Sequence, residues 1–160
     1  MALEIERKFL VRDESWRASA GPGVPMRQGY LAGDGRCSVR VRIEGDQARL
    51  NIKSATLGVR RTEYDYPIPV ADAEEMLCHL CAHPPLEKTR YHVDYGGHRW
   101  DIDVFHGENE GLVVAELELA SEDEPFQRPP WLGEEVSHDP RYYNVRLVEH
   151  PYRRWGRESG

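Results

Sequence analysis

The chain is 160 residues long and carries 21 Lys and Arg against 28 Asp and Glu, a formal net charge of −7. That length predicts one domain able to bury about 70% of its extended surface without disulfide or metal staples. Hydrophobic residues at 39% and charged residues at 31% exclude a helical membrane protein and a disordered chain, and the net acidity argues against a nucleic-acid-binding or anionic-membrane surface.

The first predicted strand, residues 2–11, holds Glu4, Glu6, Arg7 and Lys8, so the N-terminal stretch has no apolar centre for a signal peptide. No run approaches about 18 apolar residues, and three cysteines without framework spacing suit a reducing compartment; the expected location is cytoplasmic. Alternation continues at 25–33, 36–45, 47–54, 58–68, 86–95, 98–105 and 112–120, eight stretches in all. Asp34-Gly35, Gly45-Asp46 and Gly96-Gly97 supply tight turns, which predicts hairpins and antiparallel pairing. Helical spacing appears at 71–83, with Asp72 and Glu75 as a capping box, and at 139–148, where Asp139 caps and Pro140 opens the first turn. A shorter helix is predicted at 13–20. Ser121 to Gly133 holds three prolines and reads as a surface loop, and 153–160 as frayed tail.

Side chains two apart on a strand share a face. One face of every predicted strand but the second is charged: Glu4, Glu6 and Lys8; Arg40 and Arg42; Arg49, Asn51 and Lys53; Arg61, Glu63 and Asp65; Lys88 and Arg90; Asp101 and Asp103; Glu116 and Glu118. An alternating charged face ordinarily means a solvated one. Here the doublets are nearly pure in sign, and like charges two apart repel unless a ligand of opposite sign lies between them. Arg also dominates the positive doublets, and its planar fork suits phosphate oxygens. A polyphosphate with divalent cations needs both signs, cations for the oxygens and clustered carboxylates for Mg²⁺ or Mn²⁺. A barrel with this face inward would leave the apolar alternates outside, to be covered by the three helices.

This ordered series resembles the CYTH domain, or triphosphate tunnel metalloenzyme, family. Glu4-Ile5-Glu6-Arg7-Lys8 matches its Glu-x-Glu-x-Lys signature. Gln28-Gly29-Tyr30-Leu31, Arg40-x-Arg42, Ile52-Lys53, Arg61-x-Glu63 leading to Pro67-Ile68-Pro69, Lys88-x-Arg90, Asp101-x-Asp103 and Glu116-x-Glu118 follow in order. The resemblance implies an α+β fold, an eight-stranded antiparallel barrel with a charged interior and a few covering helices, over a single domain at 1–150 followed by a tail at 151–160. It makes Arg40, Arg42, Lys53, Arg61, Lys88 and Arg90 substrate ligands, with Arg60 the alternative to Arg61 after a one-residue slip. It makes Glu4, Glu6, Glu63, Asp103, Glu116 and Glu118 metal carboxylates for Mg²⁺ or Mn²⁺, and Lys8, with Glu4 and Glu6, catalytic.

The expected activity is metal-dependent hydrolysis of a linear triphosphate, first of all inorganic triphosphate to pyrophosphate and phosphate. The alternatives are a thiamine or nucleoside triphosphatase, an adenylate cyclase, or a non-catalytic polyphosphate- or nucleotide-binding module, although a pure binder has no need of the carboxylates. The expected partner is a triphosphate-containing small molecule, with neither nucleic acid nor membrane; a homodimer paired through the outer surface stays open. Cys78-His79-Leu80-Cys81 lacks a second pair at zinc spacing and reads as small apolar core. Tyr142, Tyr143 and Asn144 either close one tunnel mouth or pack as core.

Overall fold

The computed structural model describes residues 2–34, 36–54 and 59–155. Among these residues nine strands form: β1 (Ala2–Val11), β2 (Val24–Gly33), β3 (Cys37–Glu44), β4 (Gln47–Ser54), β5 (Arg60–Ile68), β6 (Leu86–Tyr95), β7 (His98–Phe105), β8 (Val113–Glu118) and β9 (Leu132–Glu135). The first eight pair antiparallel in the ring order β5-β4-β3-β2-β6-β7-β8-β1, and β1 returns to β5 to close it. The barrel is therefore the expected one. The turns work as predicted where they are described: Gly96 and Gly97 both take positive φ between β6 and β7, at 59° and 83°, and Gly45 does so at 62° between β3 and β4. At the third turn Gly35 lies outside the described residues.

The ninth strand is a correction to the predicted loop at 121–133. Ala2–Ile5 of β1 lies beside β5, whereas Phe9–Val11 lies beside β9, so β9 takes over the edge that β5 leaves. Four residues containing a glycine carry too little alternation to register as a strand. The rest of that loop lies at the surface as predicted, but it anchors two aromatic rings on the barrel. Trp131 is buried, and Phe126 and Trp131 meet the ring of Trp100 edge to face at centroid distances of 5.8 and 5.5 Å. The largest apolar cluster forms here on the outside of β1, β7 and β8, around Phe9, Trp100, Ile102 and Leu117.

Two helices and a short 3-10 turn cover other parts of the barrel. Helix α1 (Val70–His79) packs Ala73 and Leu77 onto Val41, Ile43 and Ala48. Its N-cap is Pro69 with no side-chain cap bond, so the predicted Asp72–Glu75 capping box does not form; Asp72 lies inside the first turn, where it still favours the helix dipole. Ser15–Ser19 is the 3-10 turn and buries Trp16 against Tyr91. The predicted helix at 139–148 is broken: Pro140–Tyr142 forms a 3-10 turn capped by Asp139, Tyr143 is extended, and α2 (Asn144–Glu149) follows. Residues 152–154 are not frayed but make a further 3-10 turn, and Trp155 meets Tyr142 and Tyr152 edge to face. No helix among the described residues is long and apolar enough to cross a membrane.

Candidate active site

Register decides which charges meet. In β1, Glu6 stands opposite Glu118 and Lys8 opposite Glu116 of β8, while Glu4 stands opposite Arg61 of β5. Arg90 faces Asp103, Arg40 faces Asn51, and Lys53 faces Glu63 across their own strand pairs. The charged alternates thus share the inner wall of the barrel and enclose a cavity of about 210 Å³. Twelve of the thirteen predicted site residues line it: Glu4, Glu6, Lys8, Arg40, Arg42, Lys53, Arg61, Glu63, Lys88, Arg90, Glu116 and Glu118. Arg61, not Arg60, points inward; Arg60 lies outside against Glu122 at 3.4 Å.

Asp103 is the exception. It is fully buried behind the wall, with Oδ1 2.7 Å from Arg90 Nε, and Oδ2 2.8 Å from a second Arg90 nitrogen and 2.7 Å from Lys88 Nζ. Burial would raise its carboxyl pKa, but Arg90 and Lys88 outweigh that and hold it far below the ordinary range. Both oxygens are already committed to cations, so the expected metal-ligand role does not suit this geometry.

The cations respond to the same enclosure. Burial pulls the Lys88 ammonium down to about 7 against the opposing pull of Asp103, with Arg90 and Arg42 adding to the fall. Burial likewise brings Arg42 to about 9, helped by Arg40 and Arg90. Arg90 is also buried, yet Asp103, Glu116 and Asp101 raise it well above its usual value.

The carboxylates fall into two groups. Glu116 is met by Lys8 at 3.5 Å and Arg90 at 3.3 Å. Lys53 Nζ lies 3.0 Å from Glu4 Oε2, which is buried and accepts no directed hydrogen bond, and 3.8 Å from Glu63. Among the described residues Glu118 makes no such ion pair; burial first, then Glu4 and Glu6, push its pKa up against the opposing pull of Lys53. Among the described residues no three His, Cys, Asp or Glu side chains are already gathered at metal-ligand spacing. The crowded negative potential at Glu4, Glu6 and Glu118 nonetheless fits an oxygen-preferring divalent cation, because a cation there relieves their repulsion.

Several uncharged wall residues escape a search for charge patterns. Gln28 is fully buried and its Oε1 accepts from Arg42 Nε at 3.0 Å. Asn51 donates to Asp65 at 3.3 Å, and Tyr30, Tyr143 and Asn144 also line the cavity. Gln28 and Tyr30 explain why β2 showed no charged face: Tyr30 lends the wall a phenol, and Gln28 supports Arg42 from behind it.

The Cys-x-x-Cys pair lies outside the site. Cys78 is exposed, contrary to its expected burial, while burial raises the thiol pKa of half-buried Cys81, whose Sγ would stand 2.8 Å from a Cβ placed on Gly29. Cys78→Ala and Cys81→Ala should each leave turnover within about threefold of the parent and bind no zinc, since neither touches the wall. Metal analysis and phosphate release check this; stoichiometric zinc lost on mutation would contradict it.

Comparison with known proteins agrees with the geometry. The CYTH domain profile matches residues 2–148. An inorganic triphosphatase of Acetivibrio thermocellus is 47% identical over 153 residues, covering 96% of this chain and 97% of its own. One of Nitrosomonas europaea is 39% identical over 149 residues, covering 91% and 96%. The crystal structure of an inorganic triphosphatase superposes with a TM-score of 0.65 at 38% identity, over 92% of this chain and 95% of its own. A Hippeastrum protein whose structure is described in terms of adenylyl cyclase and triphosphatase activity is 11% identical, with a TM-score of 0.57 over 76% of this chain and 80% of its own, and shares the fold alone. With the profile spanning nearly all the barrel and the signature charges on its inner wall, the chain belongs to the CYTH domain family.

Proposed function

We propose that this protein is a metal-dependent inorganic triphosphatase, cleaving triphosphate to pyrophosphate and phosphate. The observation that carries this is the wall itself: eight cationic and seven acidic side chains surround a cavity of about 210 Å³. That volume is below the roughly 300–1,000 Å³ of sites for drug-sized ligands, which favours a bare phosphate chain over a nucleotide or thiamine ester. The near balance of sign matters too. Cations already paired with carboxylates cannot by themselves hold a multiply charged anion, so the acids need a counter-cation when the anion binds. The names of the two relatives support the same substrate.

In this reading Arg40, Arg42, Lys53, Arg61, Lys88 and Arg90 hold the non-bridging oxygens, with Arg42 aimed by Gln28. Glu4, Glu6 and Glu118 hold the divalent metal, with Glu63 and Glu116 beside them; Mg²⁺ and Mn²⁺ are the candidates. Such an ion supplies charge neutralisation and an acidified water when bound. Lys8, held between Glu116 and the Tyr142 carbonyl oxygen at 3.2 Å, orients the phosphate under attack. Asp103 serves as a positioning residue that fixes Lys88 and Arg90. Because the wall donors are placed before the substrate arrives, they stabilise the developing charge without reorganising.

Phosphate release from inorganic triphosphate, pyrophosphate, ATP and thiamine triphosphate, each with Mg²⁺, Mn²⁺ or excess chelator, tests this. Inorganic triphosphate should be turned over at least about tenfold faster than the esters, a ratio within reach of pocket contacts, and chelator should abolish turnover. Full activity in chelator, or a preferred ester, would overturn the assignment. Retained binding with no turnover would instead mark a non-catalytic module, and release of a cyclic nucleotide from ATP would mark a cyclase.

Proton linkage gives a second expected result. At about pH 8 a Lys88 titrating near 7 is mostly neutral, and a bound polyanion restores its charge, so binding should take up protons. Below about pH 6 Lys88 is already charged and its contribution to the uptake should vanish. Calorimetry in buffers of different ionisation enthalpy reads this directly; proton release at pH 8 would contradict it.

A further inference from the structure

Two amides stand opposite two arginines of β3, and among the described residues one pair is bonded and the other is not. Gln28 of β2 faces Arg42, and Asn51 of β4 faces Arg40. In the first pair Gln28 Oε1 accepts from Arg42 Nε at 3.0 Å, while the amide nitrogen donates to the Tyr30 hydroxyl at 3.3 Å. Arg42 is thereby aimed before any ligand arrives. In the second pair the two corresponding atoms, Arg40 Nε and Asn51 Oδ1, are both buried and have no hydrogen-bond partner among the described residues.

The Asn51 amide is oriented from its far side. Asn51 lies between Arg40 on β3 and Asp65 on β5, directly opposite each across its own seam. Its Nδ2 donates to Asp65 Oδ1 at 3.3 Å, and the other Asp65 oxygen accepts from Arg49 at 3.0 Å. An ionised carboxylate only accepts, so the amide nitrogen must face Asp65 and Oδ1 is left on the Arg40 side. Asn51 is 2% exposed, so bulk water does not meet this oxygen. A buried acceptor without a donor is costly, and so is a buried N–H without an acceptor. Each of these two atoms is what the other lacks, and side chains directly opposite on an antiparallel pair are within reach of one another.

A polyphosphate cannot relieve both. Its ionised oxygens accept from Arg40 but donate nothing to Asn51 Oδ1. Resting on the reading of this cavity as a triphosphate site, we propose that Asn51 is a positioning residue for Arg40 that engages on binding: the terminal guanidinium nitrogens of Arg40 take phosphate oxygens, and Nε turns onto Asn51 Oδ1. Arg40 already stands on the wall, but its aim is completed by the ligand, whereas that of Arg42 is built in. The chain Arg49–Asp65–Asn51 then backs Arg40 against the phosphate, and the two buried atoms left unpaired in the empty barrel are satisfied when the site fills.

The test is a double-mutant cycle read twice on the full chain, once in ligand binding and once in stability. Asn51→Ala and Arg40→Lys, singly and together, are compared in calorimetric binding, with Mg²⁺, of an imido-bridged triphosphate, whose P–N–P bridges resist cleavage. Arg40→Lys keeps the charge and removes the Nε donor. Asn51→Ala should weaken binding about tenfold on its own, and by less than about twofold in the Arg40→Lys background. Unfolding in denaturant without ligand should show the two substitutions additive, since the bond is absent there. Calorimetry reads affinity apart from the active fraction, so partial misfolding does not obscure the result. Equal losses from Asn51→Ala in both backgrounds overturn the proposal, as does equally strong coupling in the unliganded barrel, which would mark a permanent structural contact. Loss of Mg²⁺ affinity in Asn51→Ala, measured without the analogue, would overturn it by making Oδ1 a metal ligand. A parent that binds no analogue strikes the triphosphate reading and this proposal together; intact coupling with no phosphate release from triphosphate supports the proposal and strikes the hydrolase assignment alone.

Discussion

Replacing Asp103 with Asn is expected to cost about 3–5 kcal/mol of stability, the scale for breaking a fully buried ion pair, and about two orders of magnitude in turnover. The carboxylate is the shared counter-ion of Lys88 and Arg90, and all of its oxygen contacts lie at 2.7–2.8 Å. Asn keeps the shape but leaves two buried cations facing a neutral amide, so Lys88 sheds its proton and Arg90 loses its fork. The pH dependence follows from the sign of the shift. A carboxyl depressed below its ordinary value near 3.8 stabilises the fold above that value and stops doing so as pH falls toward its depressed one. The part of the gap that belongs to the carboxylate should therefore persist through neutrality and fade only in strong acid, while Lys88, kept charged below about 7 by Asp103 and neutral without it, should widen the gap as pH falls through that value. Denaturant unfolding and phosphate release, measured on the same preparations, decide the matter. Unchanged stability with lost metal affinity would restore Asp103 as a metal ligand.

Glu118→Gln is expected to act in the opposite sense on stability. Glu118 stands directly opposite Glu6, and its pKa is raised by burial and by Glu4 and Glu6. A carboxyl raised above its ordinary value near 4.5 is a charge the folded barrel disfavours, so its penalty is present above the folded pKa and fades as pH falls toward 4.5. Without metal, the Gln variant should melt higher than the parent at neutral pH, with the difference closing in mild acid. With metal the order should reverse, because the cation stabilises only the barrel that binds it. Turnover should fall by about two orders of magnitude, the loss of several kcal/mol of charge stabilisation. A variant that is less stable without metal would show that Glu118 belongs to a structural ion pair.

Much of this was legible in the sequence, and the parts that were not share a cause. The inner wall follows from position along each strand, and the residues at Glu4, Glu6, Arg40, Arg42 and Lys88 all meet where alternation put them. Asp103 has the same alternation, but its task is set by which residue stands across the ladder. Pairing with Arg90 belongs to register, and no spacing within β7 reveals it. Gln28 carries no charge, so a pattern built on sign passes over it, whereas Asn51 was reached by its place between Arg49 and Lys53 on one face. Strand β9 and the break at Tyr143 depend on tertiary packing, which overrides weak local preference in short segments.

The way β1 is shared has a consequence for how the chain is made. Its Ala2–Ile5 half meets β5, whereas its pairings with β8 and β9 join Glu6–Val11 to segments beyond residue 112. While a ribosome is still extending the chain, β2, β3 and β4 can form their hairpins within a few residues of one another, whereas β1 has only the short seam with β5 available. Loop-closure entropy for the β8 and β9 contacts is met last. The strand bearing Glu4, Glu6 and Lys8 therefore remains half-paired, with its apolar Ile5 and Phe9 uncovered, until β8 and then β9 have emerged. Closure of the charged interior therefore waits for β8, the strand that brings Glu116 and Glu118 to the wall beside Lys8 and Glu6.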